Sequence, residues 1–152
     1  MQYNKRGFRK ARQKGYRSGL EETIAKQIHK AKHILRYETI KIKWIDFAIR
    51  SYTPDFVLDN GIIIEVKVFW STDDRRKHLE IHQQHPNLDI RLVFENSSRK
   101  IRKGSATSYA KWCEKKDLVY CDRVIPQAWL KEKLSSMPPT LTEANLESED
   151  RL

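Results

Sequence analysis

Residues 54–67 read PDFVLDNGIIIEVK, two short apolar runs joined through Asp59-Asn60-Gly61. The length of that join decides which side chains share a face. Strand side chains alternate, so Glu65 and Lys67 point to the same side, roughly 6.6 Å apart along the strand. A two-residue turn at Asn60-Gly61 would pair Phe56 with Glu65 and turn Asp55 away. A three-residue loop, ending in the glycine that a left-handed bulge position favours, pairs Leu58 with Ile62 instead. Counting outward, Asp55 then stands opposite Glu65 with side chains about 5 Å apart, a span that one divalent cation bridges. With that loop, two carboxylates and an amine come to one side of a sheet.

Two carboxylates this close repel, and a bare pair would raise one pKa strongly. A hard cation such as Mg²⁺ relieves the conflict, because it takes oxygen ligands. Lys67 beside them can hold an attacking water or balance charge on a phosphate. Metal, activated water and a cation at the scissile group are what phosphodiester hydrolysis requires. An exposed ion pair explains the pattern less well. The charges interrupt IIIEVKVFW, a run that otherwise reads as buried on both faces, and buried charges need partners.

The 152 residues make one domain with a real core, and the net charge of +10 points to a polyanionic partner, nucleic acid by default. The charge is uneven. Residues 1–17 carry Lys5, Arg6, Arg9, Lys10, Arg12, Lys14 and Arg17 without an acid, and read as a flexible basic arm. Residues 135–152 hold Glu143, Glu147, Glu149 and Asp150 against Arg151, and read as a disordered acidic tail. The body between, 18–134, stays basic. No apolar run of about twenty residues exists to span a membrane, and the basic start, without an apolar h-region, does not read as a secretory signal. Cys113 and Cys121 lack metal-ligand spacing and read as buried free thiols, which suits a cytoplasmic protein.

Leu20, Ile24, Ile28, Ala31 and Leu35 form a helical stripe that predicts a helix from Ser18 to about Leu35. Ser18 with Glu21 reads as a capping box worth about 1 kcal/mol, which leaves open whether Glu21 is also a ligand. Residues 37–50 read as one long strand or two short ones. After the hairpin, Ser71 or Thr72 caps a charged helix that stops before Pro86. LDIRLVFE (88–95) is a strand, 96–104 a basic loop, and Ser105 or Thr107 opens a third helix. A strand over 118–125 and a last helix from Pro126 to Leu134 complete the order. The expected fold class is α/β, a mixed β-sheet flanked by helices. Trp70, Trp112 and Trp129 are expected in the core. Asp73 and Asp74 are expected only to suit a helix dipole. His78 and His82 lie four apart without a third ligand, a weak case for zinc. They read as surface or backbone-contacting residues, with His78 near phosphate.

Pro54, Asp55, Glu65 and Lys67 make the PD-(D/E)XK nuclease pattern. With them come RSGLE (17–21), YTPDF (52–56), DDRRKHL (73–79), QHPNLDIRLVF (84–94), KGSATSY (103–109) and IPQAW (125–129). This ordered set, from Arg17 to Trp129, resembles the phage endonuclease I family of Holliday-junction resolvases. The resemblance implies a PD-(D/E)XK nuclease domain in an intertwined, strand-exchanged homodimer. It implies cutting of four-way junctions and other branched DNA with Mg²⁺ or Mn²⁺, one or two ions per site, leaving 5′-phosphate ends. Asp55, Glu65 and Lys67 would come from one chain and Glu21 from the other, with the Val66 carbonyl completing the metal shell. The basic arm matches the family's DNA-binding arm, so Arg6, Arg9, Lys10, Arg12, Lys14 and Arg17 are assigned to DNA. Arg75, Arg76, Lys77 and His78 are placed near the cut strand. Lys100, Lys103 and Ser105 lie in a loop that either clamps a backbone or is a solvated turn. Two features depart from the family: the 41–56 segment lacks the prolines expected in the exchanged stretch, and the tail is acidic where a basic one is expected. Other readings are a restriction or repair nuclease on duplex DNA, or a basic nucleic-acid-binding protein without catalysis.

Overall fold

A computed structural model describes residues 14–133. Chain order is α1 (Gly19–Lys30), β1 (Ile42–Ile45), β2 (Ile49–Tyr52), β3 (Phe56–Val57), β4 (Ile63–Lys67), α2 (Thr72–Gln84), β5 (Ile90–Phe94), α3 (Tyr109–Lys115), β6 (Tyr120–Asp122) and α4 (Gln127–Lys131). The main sheet runs β3-β4-β5-β6, with β3 antiparallel to β4 and the other pairings parallel. It is the mixed sheet flanked by helices that the sequence implied. Among the described residues no helix is long and apolar enough to cross a membrane. The expected arm lies mostly outside the described residues, and the expected tail wholly so.

Alternation along β4 divides the core. Ile62, Ile64 and Val66 join Phe56 and Leu58 against Ile24 and Ile28 of α1 and Trp129 and Leu130 of α4. Ile63 takes the opposite face, with Val57, Ile81 of α2, and Ile42, Trp44 and Tyr52 of the β1–β2 hairpin. Trp70, Leu92, Phe94, Tyr109 and Cys113 form a third cluster under α3, against which Trp112 packs. The three tryptophans expected inside are packed there. Cys113 is buried and Cys121 half-buried, both as free thiols.

Several boundaries differ from expectation. Helix α1 ends at Lys30 with Ala31 as its C-cap, because Lys32 turns left-handed at φ 62° and the chain leaves to cover the β3 edge. There Val57 N–H donates to the Arg36 carbonyl and Glu38 N–H to that of Asp55. Ile34 and Leu35 are consequently exposed. Residues 42–52 form two strands in a sheet of their own, reversed at Asp46-Phe47-Ala48 with Phe47 at φ 53°. Helix α3 starts later than expected, capped by Ser108, because Ile101 N–H bonds to the Thr107 carbonyl and commits 101–107 to a closed loop.

Candidate active site

The loop between β3 and β4 has the three-residue form. Leu58 N–H donates to the Ile62 carbonyl at 2.8 Å, and Gly61 sits at φ 85°, where a Cβ is strained. Phe56 therefore pairs with Ile64 and Val57 with Ile63, which sets Asp55 opposite Glu65. Asn60 locks the loop by donating to the Trp129 carbonyl at 2.7 Å. Asp55, Glu65 and Lys67 thus lie on the face covered by α2 and the β1–β2 hairpin. Both acids are 4% exposed.

Each acid is held by specific donors. Asp55 Oδ2 accepts the Val66 N–H at 2.7 Å. A residue's N–H and C=O leave a strand on the same side, so the Val66 carbonyl also faces the Asp55 edge. Glu65 Oε1 takes Lys67 Nζ at 2.8 Å and Oε2 the Tyr52 hydroxyl at 2.7 Å. Lys67 also lies 3.7 Å from Asp74, whose carboxylate closes a capping box with Ser71 at the start of α2. His78 is fully buried, its Nε2 3.7 Å from Glu65 Oε1, and neither ring nitrogen has a hydrogen-bond partner.

The surroundings drive the two acids apart. Burial, then the charge of Glu65, pushes Asp55 up to about 8. Burial also works against ionised Glu65, yet the Lys67 ammonium at 2.8 Å holds it down, to about 2, with His78 near at 3.7 Å but outside hydrogen-bond reach. Burial lowers Lys67, but Glu65 and Asp74 more than offset it and keep the amine charged. Asp55 raised beside Glu65 lowered is the pattern that two carboxylates sharing one site produce.

Among the described residues no group of three or more His, Cys, Asp or Glu side chains is placed to hold a metal. The donors at hand are Asp55, Glu65 and the Val66 carbonyl. That set suits Mg²⁺, which is held by one or two carboxylates and completes its shell with water and phosphate oxygens.

Glu21 approaches from α1 of the same chain. Ser18 Oγ accepts the Glu21 N–H at 3.1 Å, the expected cap. The return contact differs from a capping box, since the Glu21 carboxylate accepts the Arg17 N–H at 2.9 Å rather than that of Ser18. It also takes the Tyr37 hydroxyl at 2.7 Å, and its charge is among those that raise Asp55. The Arg17 guanidinium reaches Asp55 Oδ1 at 3.4 Å and ion-pairs with Glu38. Glu21 and Asp55 are therefore neighbours within one chain.

The residues assigned to DNA divide. Arg6, Arg9, Lys10 and Arg12 lie outside the described residues. Lys14 pairs with Glu22 at 2.7 Å. Arg75 and His78, expected near phosphate, are turned inward. Arg75 donates to the Trp70 carbonyl and Thr72 Oγ1, capping its own helix, and His78 packs against Tyr52. Arg76 is exposed and grips Asp46 with two hydrogen bonds of 2.9 and 3.1 Å. Lys77 pairs with Asp74 at 3.6 Å. Lys100 donates to the Ala106 carbonyl, Ser105 Oγ accepts from Thr107 N–H, and Lys103 is exposed on the same closed loop. Sequence reasoning missed Tyr52 and the approach of Asp74 to Lys67. The nearest signal for Tyr52 was its place in YTPDF, three residues before Asp55.

Fold and site together define an α/β protein with a buried acid–acid–amine centre in a strongly basic chain. The Phage endonuclease I family profile matches residues 1–148, and the chain belongs to that family. It is similar to Endonuclease I of Escherichia phage T7, 44% identical over 137 residues, covering 90% of this chain and 91% of the relative. It is similar also to Endodeoxyribonuclease 1 of Enterobacteria phage T3, 48% identical over 126 residues, covering 82% and 83%.

Proposed function

We propose that this protein is a metal-dependent DNA endonuclease of the PD-(D/E)XK type that resolves four-way junctions and cuts other branched DNA. The observation that carries the reading is the convergence of Asp55, Glu65 and Lys67 on one buried face with their ionisations driven apart. Family membership and a relative named an endodeoxyribonuclease support DNA as the substrate. Asp55, Glu65 and the Val66 carbonyl would hold Mg²⁺ or Mn²⁺, which supplies Lewis-acid polarisation of the phosphate and a more acidic water. Lys67, kept charged by its two acids, holds the attacking water or balances charge gathering on the phosphate. Glu21 adds a further carboxylate beside Asp55. The protein works as a homodimer, whose twofold axis sets two sites on a twofold junction and so pairs the cuts. Its chains exchange N-terminal elements through the segment between α1 and β3, so that Glu21 reaches the partner's site through contacts like those made here within one chain. Selectivity rests on branch shape and phosphate geometry rather than base edges.

The test uses a branch-fixed four-way junction with each strand labelled in turn, competed against linear duplex, with and without EDTA. Paired, EDTA-sensitive cuts on opposed strands with 5′-phosphate ends are expected. Asp55→Ala should abolish cutting and leave junction binding within about twofold, since a metal-site acid contributes to the reaction rather than to docking. Full cleavage by Asp55→Ala in Mg²⁺ would remove Asp55 from the chemistry. Equal cutting of linear duplex would favour a nuclease without branch selectivity.

A further inference from the structure

Glu65 is held from two sides, and one of its holders belongs to a different sheet. Tyr52 ends β2, opposite Ile42, in the two-stranded sheet that shares no ladder with β4. Tyr52 is 4% exposed and packed with Ile42, Trp44, Val57, Ile63 and Ile81. His78 stands edge-on to that ring, centroids 5.4 Å apart at 83°, which braces it from α2. Out of this apolar cluster a single hydroxyl emerges, and it donates to Glu65 Oε2 at 2.7 Å.

We propose that Tyr52 is a positioning residue: it holds Glu65 Oε2, so that Oε1 is the oxygen turned to Lys67 and to a divalent cation. The assignment rests on the metal-dependent reading above. The terminal torsion of a glutamate is broad and two-fold, so a buried carboxylate left to itself presents either oxygen. A hydrogen bond to one oxygen removes that choice and fixes the ligand before the cation arrives. Because Tyr52 belongs to the β1–β2 hairpin, the aim of Glu65 also depends on how that hairpin is seated.

Tyr52→Phe keeps the ring and its packing and removes only the hydroxyl. We would measure Mn²⁺ binding to the DNA-free protein by paramagnetic resonance, and junction cleavage across a Mg²⁺ titration. Loss of a group that orients a metal ligand typically costs about 10–100-fold in metal affinity or activity. Expected is a shift of that size in the cation midpoint, cleavage largely recovered at saturating Mg²⁺, and unchanged junction binding in EDTA. If wild type cleaves and the variant matches it in midpoint and rate, the assignment falls alone. A variant that loses its fold or its junction binding also overturns it, since the hydroxyl would then be structural. A wild type that leaves junction and duplex intact in both metals overturns the nuclease reading, and this assignment with it.

Discussion

Asp55 and Glu65 stand opposite each other, yet one is held protonated and the other ionised. For Asp55 the sign of the linkage is definite. An acid raised to about 8 in the folded chain keeps a proton that the unfolded chain has released near its ordinary value of 3.8. Folding then binds the extra proton, and the stability it brings is lost as pH rises through that window. In EDTA, urea unfolding should show a decline on the order of a few kcal/mol between about pH 4 and about pH 8, and Asp55→Asn should flatten it. A cation needs the ionised acid, so the Mg²⁺ midpoint should tighten with pH and level off above about 8. A midpoint that does not move with pH would separate Asp55 from the metal. Asp55, Glu65 and Lys67 were legible in the chain because strand alternation and loop length are local rules. Tyr52, Asp74 and His78 were not, because each reaches the site from another element, and no local periodicity records a tertiary approach.

The β3–β4 hairpin makes register a chemical matter, since a shift of one residue would send Asp55 to the face of Ile24 and Trp129. Gly61 at φ 85° is the residue that permits the three-residue loop. Gly61→Ala should cost about 1–2 kcal/mol, the penalty for a Cβ in the left-handed region, read from urea denaturation. A variant as stable as the parent would mean that the loop relaxes without that conformation. Helix starts were readable where a hydroxyl caps them, as Ser18 and Ser71 do. Ends were harder. The helical stripe carries on past Lys30 to Leu35, while the backbone turns away at Lys32 to pair with β3, a demand of the sheet edge rather than of the helix. Ser105 and Thr107 looked equally able to cap α3, but the loop closed by Ile101 and Thr107 passes the task to Ser108.

Across the molecule, the mixed sheet was legible from the order of apolar runs. The separate two-stranded sheet was not, since partner choice between strands is a long-range matter. The charge of +10 sets the expected behaviour toward DNA. Each phosphate neutralised contributes about 0.9 to the slope of log affinity against log salt. If the 100–108 loop clamps a backbone, Lys103→Gln should reduce that slope for junction binding by about 1, measured by anisotropy. An unchanged slope would make the loop a solvated turn. The two cysteines carry a different consequence. Burial pushes both thiols up to about 12, where little thiolate is available to react. A third cysteine placed on the surface would thus be the preferred target for maleimide, and a fluorophore could be attached there without first stripping the native ones.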